Sequence, residues 1–193
     1  MHGGPLPKEM VDEARQEEIG FLQGRNIWSL RPIEDCWRDT GKAPVSVRWV
    51  DTNKGGKAEI LIRSRLVARD FKGKDNDRDI LFAGTPPLEA KKMLFSMGMT
   101  DFSQGRATSS NGTQKVLFID VRRAYFHAKA IRDVYVELCA ERKQEGMCGR
   151  LNKALYGTRD AAQNWEAAYT ELLIATGFTQ GKSTPCIFYH KQR

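Results

Sequence analysis

The order of apolar and polar residues predicts three helices in this chain. Residues 8–23 place apolar side chains at helical spacing among charges, and Gly24 follows as a stop. A helix that begins near Leu88 is predicted to bury a stripe of leucine and methionine side chains. Trp165 opens the clearest helix, with apolar residues three, four, seven and eight positions later and a stop at Gly177. The stripe of the second helix consists of Met93, Leu94, Met97 and Met99.

A second pattern, alternation, predicts a hairpin that displays arginines. Residues 45–51 and 58–68 alternate as strands do, and the Asn-Lys-Gly-Gly sequence between them is a turn signal. Arg63 and Arg65 project together from one face of the second strand. Two interpretations are open: a solvated edge charged against aggregation, and a clamp for phosphate. The basic surface would also include Arg48, Arg69 and Lys72.

The remaining pattern predicts two shorter strands and two connections. Residues 133–138 alternate, and residues 186–189 form a final apolar run. Residues 25–44, punctuated by proline and glycine, predict a packed connection. Residues 103–114 contain almost no apolar side chain and predict an exposed loop.

The segment 115–128 is the stretch whose pattern indicates chemistry. Val116 to Ile119 form an unbroken apolar run, which predicts a strand buried on both faces. Asp120 follows at the C-terminal end of that run, where an unpaired buried carboxylate would be costly. On this stretch alone, a ligand role at the strand end and an N-cap role for the next turn are equally open.

Composition narrows the class of protein and the kind of partner. A chain of 193 residues with 40% hydrophobic and 28% charged residues suits one sizeable globular domain, which excludes disorder throughout. The net charge of +7, from 31 Lys and Arg against 24 Asp and Glu, favours a polyanionic partner such as nucleic acid.

The spacing of cysteine and histidine and the hydropathy of the chain argue against a zinc site, a disulfide framework and a membrane span. The four cysteines contain no Cys-x-x-Cys pair, and His127 has no His or Cys at ligand spacing, so neither a zinc site nor a disulfide framework is predicted. No apolar stretch reaches the roughly 20 residues of a membrane span, and the N-terminus lacks a signal-peptide run. We therefore expect an intracellular protein, cytoplasmic or nuclear.

Several stretches resemble, in the right order, the reverse transcriptase domain of copia-type LTR retrotransposons. Residues 63–71, Arg-Ser-Arg-Leu-Val-Ala-Arg-Asp-Phe, are similar to the fingers motif K-A-R-L-V-A-K-G-F. Residues 120–128 resemble the first catalytic motif, D-V-K-x-A-F-L-x-G, and residues 151–165 resemble L-x-K-A-L-Y-G-L-K-Q-A-P-R-x-W. The match extends over most of the chain through residues 26–30, 47–50 and 82–87.

This resemblance implies an architecture as well as an activity. It implies an α+β fold of the polymerase fingers and palm type, truncated, in which helices pack on one face of an antiparallel sheet. Residues 1–24 would form an N-terminal helix with a loose start, and residues 25–114 a fingers-like region. Residues 115–193 would form a partial palm that ends before a Tyr-x-Asp-Asp hairpin.

The resemblance also assigns roles to individual residues. Asp120 would be a catalytic ligand of Mg2+, which prefers carboxylate oxygens and keeps substrate phosphate as a further ligand. Arg65, with Arg63 in the place of a family lysine, would hold the triphosphate of the incoming nucleotide. Tyr125 would stack under the sugar, and Gly157 would let the backbone approach nucleotide and template. Val121 is a further implied nucleotide-binding residue.

The implied partners are an RNA or DNA template-primer and deoxynucleotides, with no membrane, and the oligomeric state stays open. Departures from the family pattern nevertheless predict a fragment that is inactive alone. Two-metal chemistry takes carboxylates from more than one strand, and the sequence contains no Asp-Asp pair. Asp160 stands where the family has glutamine. A non-catalytic basic nucleic-acid-binding module and a non-functional remnant are the alternatives.

Overall fold

The computed structural model describes residues 5–55, 59–71, 83–99 and 117–190, and within them the chain is an α+β protein. Its described helices are α1 (Lys8–Gly24), α2 (Ile33–Thr40), α3 (Leu88–Met99) and α4 (Ala161–Ala175). Its described strands are β1 (Trp28–Pro32), β2 (Val47–Asn53), β3 (Ile62–Ala68), β4 (Tyr135–Val136), β5 (Met147–Leu151), β6 (Phe178–Gln180) and β7 (Phe188–His190).

These strands form three small antiparallel sheets rather than one. The strand orders are β1-β5-β4, β2-β3 and β6-β7. The chain divides into two compact units, the first formed by residues 1–82 and 123–169 and the second by residues 83–122 and 170–193.

The predicted hairpin in the first unit is confirmed, with a longer connection than the sequence indicated. β2 and β3 pair antiparallel from Val47 opposite Ala68 to Asn53 opposite Ile62. Asn53 was predicted to begin the turn, yet it closes the ladder. Its Oδ1 accepts hydrogen bonds from the backbone N–H of Gly55 at 2.9 Å and of Leu61 at 3.0 Å. The Asn53 side chain thus satisfies two backbone donors of the connection, in the manner of an Asx turn.

Strand β1 and helix α2 occupy most of residues 25–44, so the prediction that this region is a connection is wrong. β1 pairs with β5, so Trp28 lies opposite Leu151, more than a hundred residues later. A Cβ on Gly149 would lie 2.9 Å from Cγ of Trp28, so any other residue there would displace the indole. Five-residue strands with such distant partners give little local signal.

The main core of the first unit lies between α1, β3 and the second half of the chain. α1 was predicted as a surface helix, but Ile19 and Leu22 are 0% and 1% exposed. They join Leu66 of β3, Phe126 and Leu155 in one buried cluster. Burying such side chains stabilises the unit by about 1.5–3 kcal/mol each. The helix is therefore an integral part of the fold.

In the second unit, the predicted helix α3 forms, but the face that it was expected to bury is exposed. α3 begins at Leu88 as predicted, whereas Met93 and Leu94 are 63% and 60% exposed and Met97 is 38% exposed. The side chain of Met99 lies outside the described residues. Periodicity shows that a helix has an apolar side; it cannot show that a second surface covers that side.

The predicted buried strand before Asp120 is likewise wrong within its described part. Leu117, Phe118 and Ile119 are 75–79% exposed and belong to no strand, and Val116 lies outside the described residues. A fully buried strand needs a paired neighbour and two covering layers, which no local pattern can supply. By contrast, the predicted final strand is confirmed as β7, which pairs with β6.

Other sequence predictions have simpler outcomes. The four cysteines are free thiols, with Cys36, Cys139 and Cys148 buried. No helix in the described ranges is long and apolar enough to cross a membrane. Two predicted features, Lys72 and the loop 103–114, lie outside the described residues.

Candidate functional site

The hairpin presents its arginines on one face, as the alternation predicted. Residues opposite each other in an antiparallel ladder share a face. Arg65 lies opposite Val50 and Arg63 lies opposite Thr52, while Arg48 lies opposite Val67. Arg48 and Arg63 are exposed, and Arg65 is half-buried. The hairpin therefore offers three guanidinium groups in one direction, one of them partly desolvated.

Arg65 is held against an aromatic cluster. Its Cζ lies 5.4 Å from the ring centroid of Tyr156, within the range of a cation–π contact. The Tyr156 ring packs on Tyr125 at 5.2 Å and on Phe126 at 5.0 Å between centroids. Burial raises the pKa of Tyr156, which keeps the phenol neutral beside the guanidinium. Arg65 Nε is buried and has no hydrogen-bond partner within the described residues.

Gly157 lies where the chain after Tyr156 meets the end of β3. Its φ is +84°, and a Cβ there would lie 2.0 Å from the carbonyl oxygen of Ala68. The backbone N–H of Ala68 donates to Tyr156 O at 2.7 Å, and that of Asp70 donates to Gly157 O at 3.3 Å. Only glycine fits this contact. A close backbone approach was predicted at Gly157, and within the protein its partner is β3.

A partly buried ion-pair network, here called the clasp, ties the same two segments together. Arg132 Nη2 donates to Asp70 Oδ2 at 2.9 Å and to Asp160 Oδ1 at 2.8 Å. Asn164 Nδ2 donates to Asp160 Oδ2 at 2.9 Å. Burial would raise the pKa of Asp160, but the hydrogen bonds and charge of Arg132 and the hydrogen bond of Asn164 outweigh it and lower that pKa. The same carboxylates raise the pKa of Arg132.

Sequence reasoning missed a buried carboxylate on α1. Glu18 is 2% exposed, and its Oε2 accepts from Arg123 Nη2 at 2.7 Å and Nε at 3.0 Å. Burial raises the pKa of Glu18, while the charges of Arg123, Arg63 and Arg65 oppose the rise. A signal was available, because Glu18 falls at helical spacing between apolar residues. Those neighbours are Val11, Ala14 and Phe21.

Arg123, the partner of Glu18, has an unusual backbone conformation. Its φ is +53°, in the left-handed region that non-glycine residues rarely adopt. The guanidinium Cζ lies 4.0 Å from the ring centroid of Phe21, and the same group reaches Glu17 at 3.7 Å. Arg123 thus contacts one aromatic ring and two carboxylates of α1.

The second unit carries Asp120 and Val121. Asp120 is exposed, and Val121 is 41% exposed. No group of three or more His, Cys, Asp and Glu side chains that could hold a metal ion occurs within the described ranges. Asp120 offers the hard oxygen ligand that Mg2+ prefers, but one carboxylate supplies only part of a coordination shell. The described residues therefore fit a single ligand of a metal site.

The predicted site residues thus fall into two sets. Arg63, Arg65, Tyr125 and Gly157 belong to the first unit, where Tyr156 bridges the last three through ring contacts and its peptide bond. Asp120 and Val121 belong to the second unit.

Comparisons with known proteins identify relatives over most of the chain. A family model described as reverse transcriptase (RNA-dependent DNA polymerase) matches residues 36–192. The chain is also similar to the retrovirus-related Pol polyprotein from transposon TNT 1-94 of Nicotiana tabacum, at 23% identity over 190 residues. That alignment covers 95% of this chain and 13% of the polyprotein. No solved structure matches the chain.

Proposed function

This chain belongs to the reverse transcriptase (RNA-dependent DNA polymerase) family, and from that membership we propose how its residues serve nucleotide transfer. The predicted copia-type reverse transcriptase domain is confirmed by the family match together with the transposon relative. The chain spans 13% of that relative, so the activity of a whole Pol polyprotein is itself a proposal for this protein.

We propose that the first unit grips the triphosphate of a deoxynucleotide through Arg65 and Arg63. The supporting observation is that Arg65 of the fingers-like motif lies over Tyr156, which adjoins Gly157 and packs on Tyr125. Residues from three motifs are thus brought together in one place. A guanidinium fixed by an aromatic ring loses little entropy on binding phosphate and can form paired, charge-assisted hydrogen bonds with it.

In the same proposal, Asp120 is a metal ligand and Val121 and Tyr125 contact the nucleotide. Bound Mg2+ would supply Lewis-acid activation of the primer hydroxyl and neutralisation of the triphosphate. Residues 25–114 would act as the fingers-like part and residues 115–193 as part of a palm. The RNA or DNA template-primer would be the macromolecular partner, because the net charge of +7 favours a polyanion.

We further propose that this polypeptide does not polymerise by itself. The sequence holds no Asp-Asp pair that could join Asp120 in a two-metal site. Primer extension on an RNA template with Mg2+ and deoxynucleotides tests this proposal, with Asp120→Ala as the matched variant. We expect no extension above background from either protein. Robust synthesis that disappears in Asp120→Ala would contradict the proposed inactivity while supporting the metal-ligand role.

A second candidate function is a non-catalytic nucleic-acid-binding module, favoured by the exposed arginine face of the hairpin. It predicts binding that weakens steeply with salt, because each phosphate contact releases counterions. The test compares Arg63→Ala/Arg65→Ala with Arg31→Ala/Lys143→Ala, which removes the same charge from other exposed positions. In the hairpin variant, the slope of log affinity against log salt concentration should decrease in magnitude by about 2, or roughly one per lost phosphate contact. Equal slopes in the two variants would rule out a specific role for the hairpin face.

A further inference from the structure

Glu18 is buried in the fold, yet other contacts hold its helix in place. Arg15 of α1 pairs with Asp51 of β2 at 2.7 Å, and Ile19 and Leu22 are buried in the core. Removing the Glu18 charge therefore leaves the main attachments of α1 intact. A buried carboxylate is costly unless it is fully paired. Glu18 Oε1 has no hydrogen-bond partner within the described residues, so helix docking alone does not account for this side chain.

The surroundings of Glu18 are basic on several sides. Arg123 Nη2 contacts its Oε2 at 2.7 Å, and the neighbouring Ile19 and Leu22 pack with Leu66 of β3, the strand that carries Arg63 and Arg65. The charges of these two arginines oppose the rise in the pKa of Glu18 that burial causes. We call Arg63, Arg65 and Arg123 the basic cluster. Two of its members are the arginines assigned above to a triphosphate. An internal carboxylate thus faces the groups that would meet an external anion.

We propose that Glu18 is an affinity-determining residue of the nucleotide site, because its carboxylate gives the basic cluster a built-in counter-charge that weakens polyphosphate binding. This inference rests on the proposed function of Arg63 and Arg65. It adds Arg123 to the groups that set the potential at the site. A ligand with several phosphates is attracted by the cluster and repelled by Glu18, and the repulsion is poorly screened because Glu18 is buried.

The chain offers a matched control one residue away. Glu17 also lies within ion-pair distance of Arg123, at 3.7 Å, but its side chain is 80% exposed where that of Glu18 is 2% exposed. Glu17→Gln and Glu18→Gln change the net charge equally. Water screens the charge of Glu17, so its removal should have little effect on a nearby anion. The two carboxylates differ in burial and in the closeness of their contact with Arg123.

The experiment titrates inorganic tripolyphosphate into the full chain by calorimetry at low salt. We expect Glu18→Gln to bind about tenfold more tightly than the wild type, and Glu17→Gln to stay within about twofold. Arg65→Ala in the Glu18→Gln background should abolish the gain. Equal affinities for wild type and Glu18→Gln would overturn the inference.

The same titrations separate this inference from the proposed function. If Arg65→Ala loses binding and Glu18→Gln equals the wild type, the nucleotide grip stands and the role of Glu18 falls. If Arg65→Ala binds as well as the wild type, the proposed grip itself fails. No detectable binding by any of these proteins contradicts both.

A measurement on the unmodified chain covers the case in which Glu18→Gln does not fold. Coupling between two sites is reciprocal, so bound tripolyphosphate must disfavour the ionised form of Glu18. Carboxyl-carbon NMR of Glu18 should therefore report a higher pKa with tripolyphosphate than without it. Arg123, Arg63, Arg65, Glu17 and Tyr156 are the charged or titratable groups around it. An unchanged pKa in the presence of saturating tripolyphosphate would overturn the inference.

Discussion

The end of the hairpin in the first unit and the segment before Asp120 in the second unit differ in how their side chains are surrounded. At the hairpin, Arg65, Gly157 and Asp160 each contact a named partner within the unit. In the other segment, Leu117 and Ile119 are 79% and 77% exposed. A motif thus acquires a fixed geometry only where distant parts of the chain supply its partners. Arg65 and Gly157 have such partners, whereas Asp120 is exposed.

The largest effect on stability is expected from a substitution at Gly157. Gly157→Ala puts a Cβ 2.0 Å from the Ala68 carbonyl, so the contact between β3 and the Tyr156–Gly157 turn must open. We expect a loss of about 3 kcal/mol or more in the free energy of unfolding. Gly146→Ala is the control, because its φ is +69° but nothing lies within 4 Å. The control should lose about 1–2 kcal/mol. Equal losses in urea denaturation would show that the close contact is unimportant.

A smaller effect is expected from breaking the clasp. Asp160→Ala leaves Arg132 with one carboxylate and Asn164 without its acceptor. The Arg132 side chain is 37% exposed, so water compensates part of the loss, and we expect about 2 kcal/mol of destabilisation.

The exposed pair Asp133 and Arg150 provides the control for the clasp, since their side chains are 57% and 43% exposed. Asp133→Ala should change the free energy of unfolding by no more than about 0.5 kcal/mol. If both substitutions cost the same in parallel denaturation curves, the clasp does not hold the hairpin more firmly than a surface pair would.

Acid provides a third and weaker perturbation of the first unit. Hydrogen bonds from Arg15 and Ser64 lower the pKa of Asp51, as those of Arg132 and Asn164 lower that of Asp160. A lowered folded pKa stabilises the protein above the unfolded value of about 4, and that contribution disappears as the pH falls through the folded pKa.

Glu18 contributes to the pH dependence of stability with the opposite sign, because its raised pKa favours the protonated folded state on acidification.

Asp160→Asn removes the contribution of the lowered Asp160 pKa, so this variant should lose stability less steeply than the wild type between about pH 4 and pH 2. Thermal unfolding across that range measures both slopes. Identical slopes would mean that Asp160 is not held ionised by the clasp.

The smallest effect is expected in the second unit. Leu117→Ser with Ile119→Ser removes exposed side chains, so the free energy of unfolding should change by no more than about 0.5 kcal/mol per substitution. Leu66→Ala, at 1% exposure, should cost about 2–5 kcal/mol. If Leu117→Ser with Ile119→Ser were as destabilising as Leu66→Ala, the contrast between the two regions would disappear.

Sequence patterns predicted elements better than their surroundings. The helical spacing after Trp165 and the alternation around Arg63 depend on neighbours a few residues away, so α4 and the hairpin were found. β1 pairs with β5, and Arg132 joins Asp70 to Asp160, across distances in the chain that no local pattern reports.

Candidate site residues could be named from the sequence, whereas their contacts could not. Motif resemblance selected Arg65, Tyr125 and Gly157, and the structure brings them together through Tyr156. The motif resemblance gave no sign of Glu18, although a carboxylate within an apolar helical stripe was visible in the sequence. Charged residues on predicted buried faces are therefore candidates for functional contacts.

The most direct measurement is the affinity of the chain for dTTP with Mg2+, compared between Arg65→Ala and Asp120→Asn. If the first unit holds the nucleotide, Arg65→Ala should weaken binding by about tenfold or more, since a charged hydrogen-bond partner is worth about 1.5–3 kcal/mol. Asp120→Asn should weaken it by less than about threefold, because one exposed carboxylate adds little to metal affinity by itself. The reverse order, with binding lost in Asp120→Asn and kept in Arg65→Ala, would contradict the account.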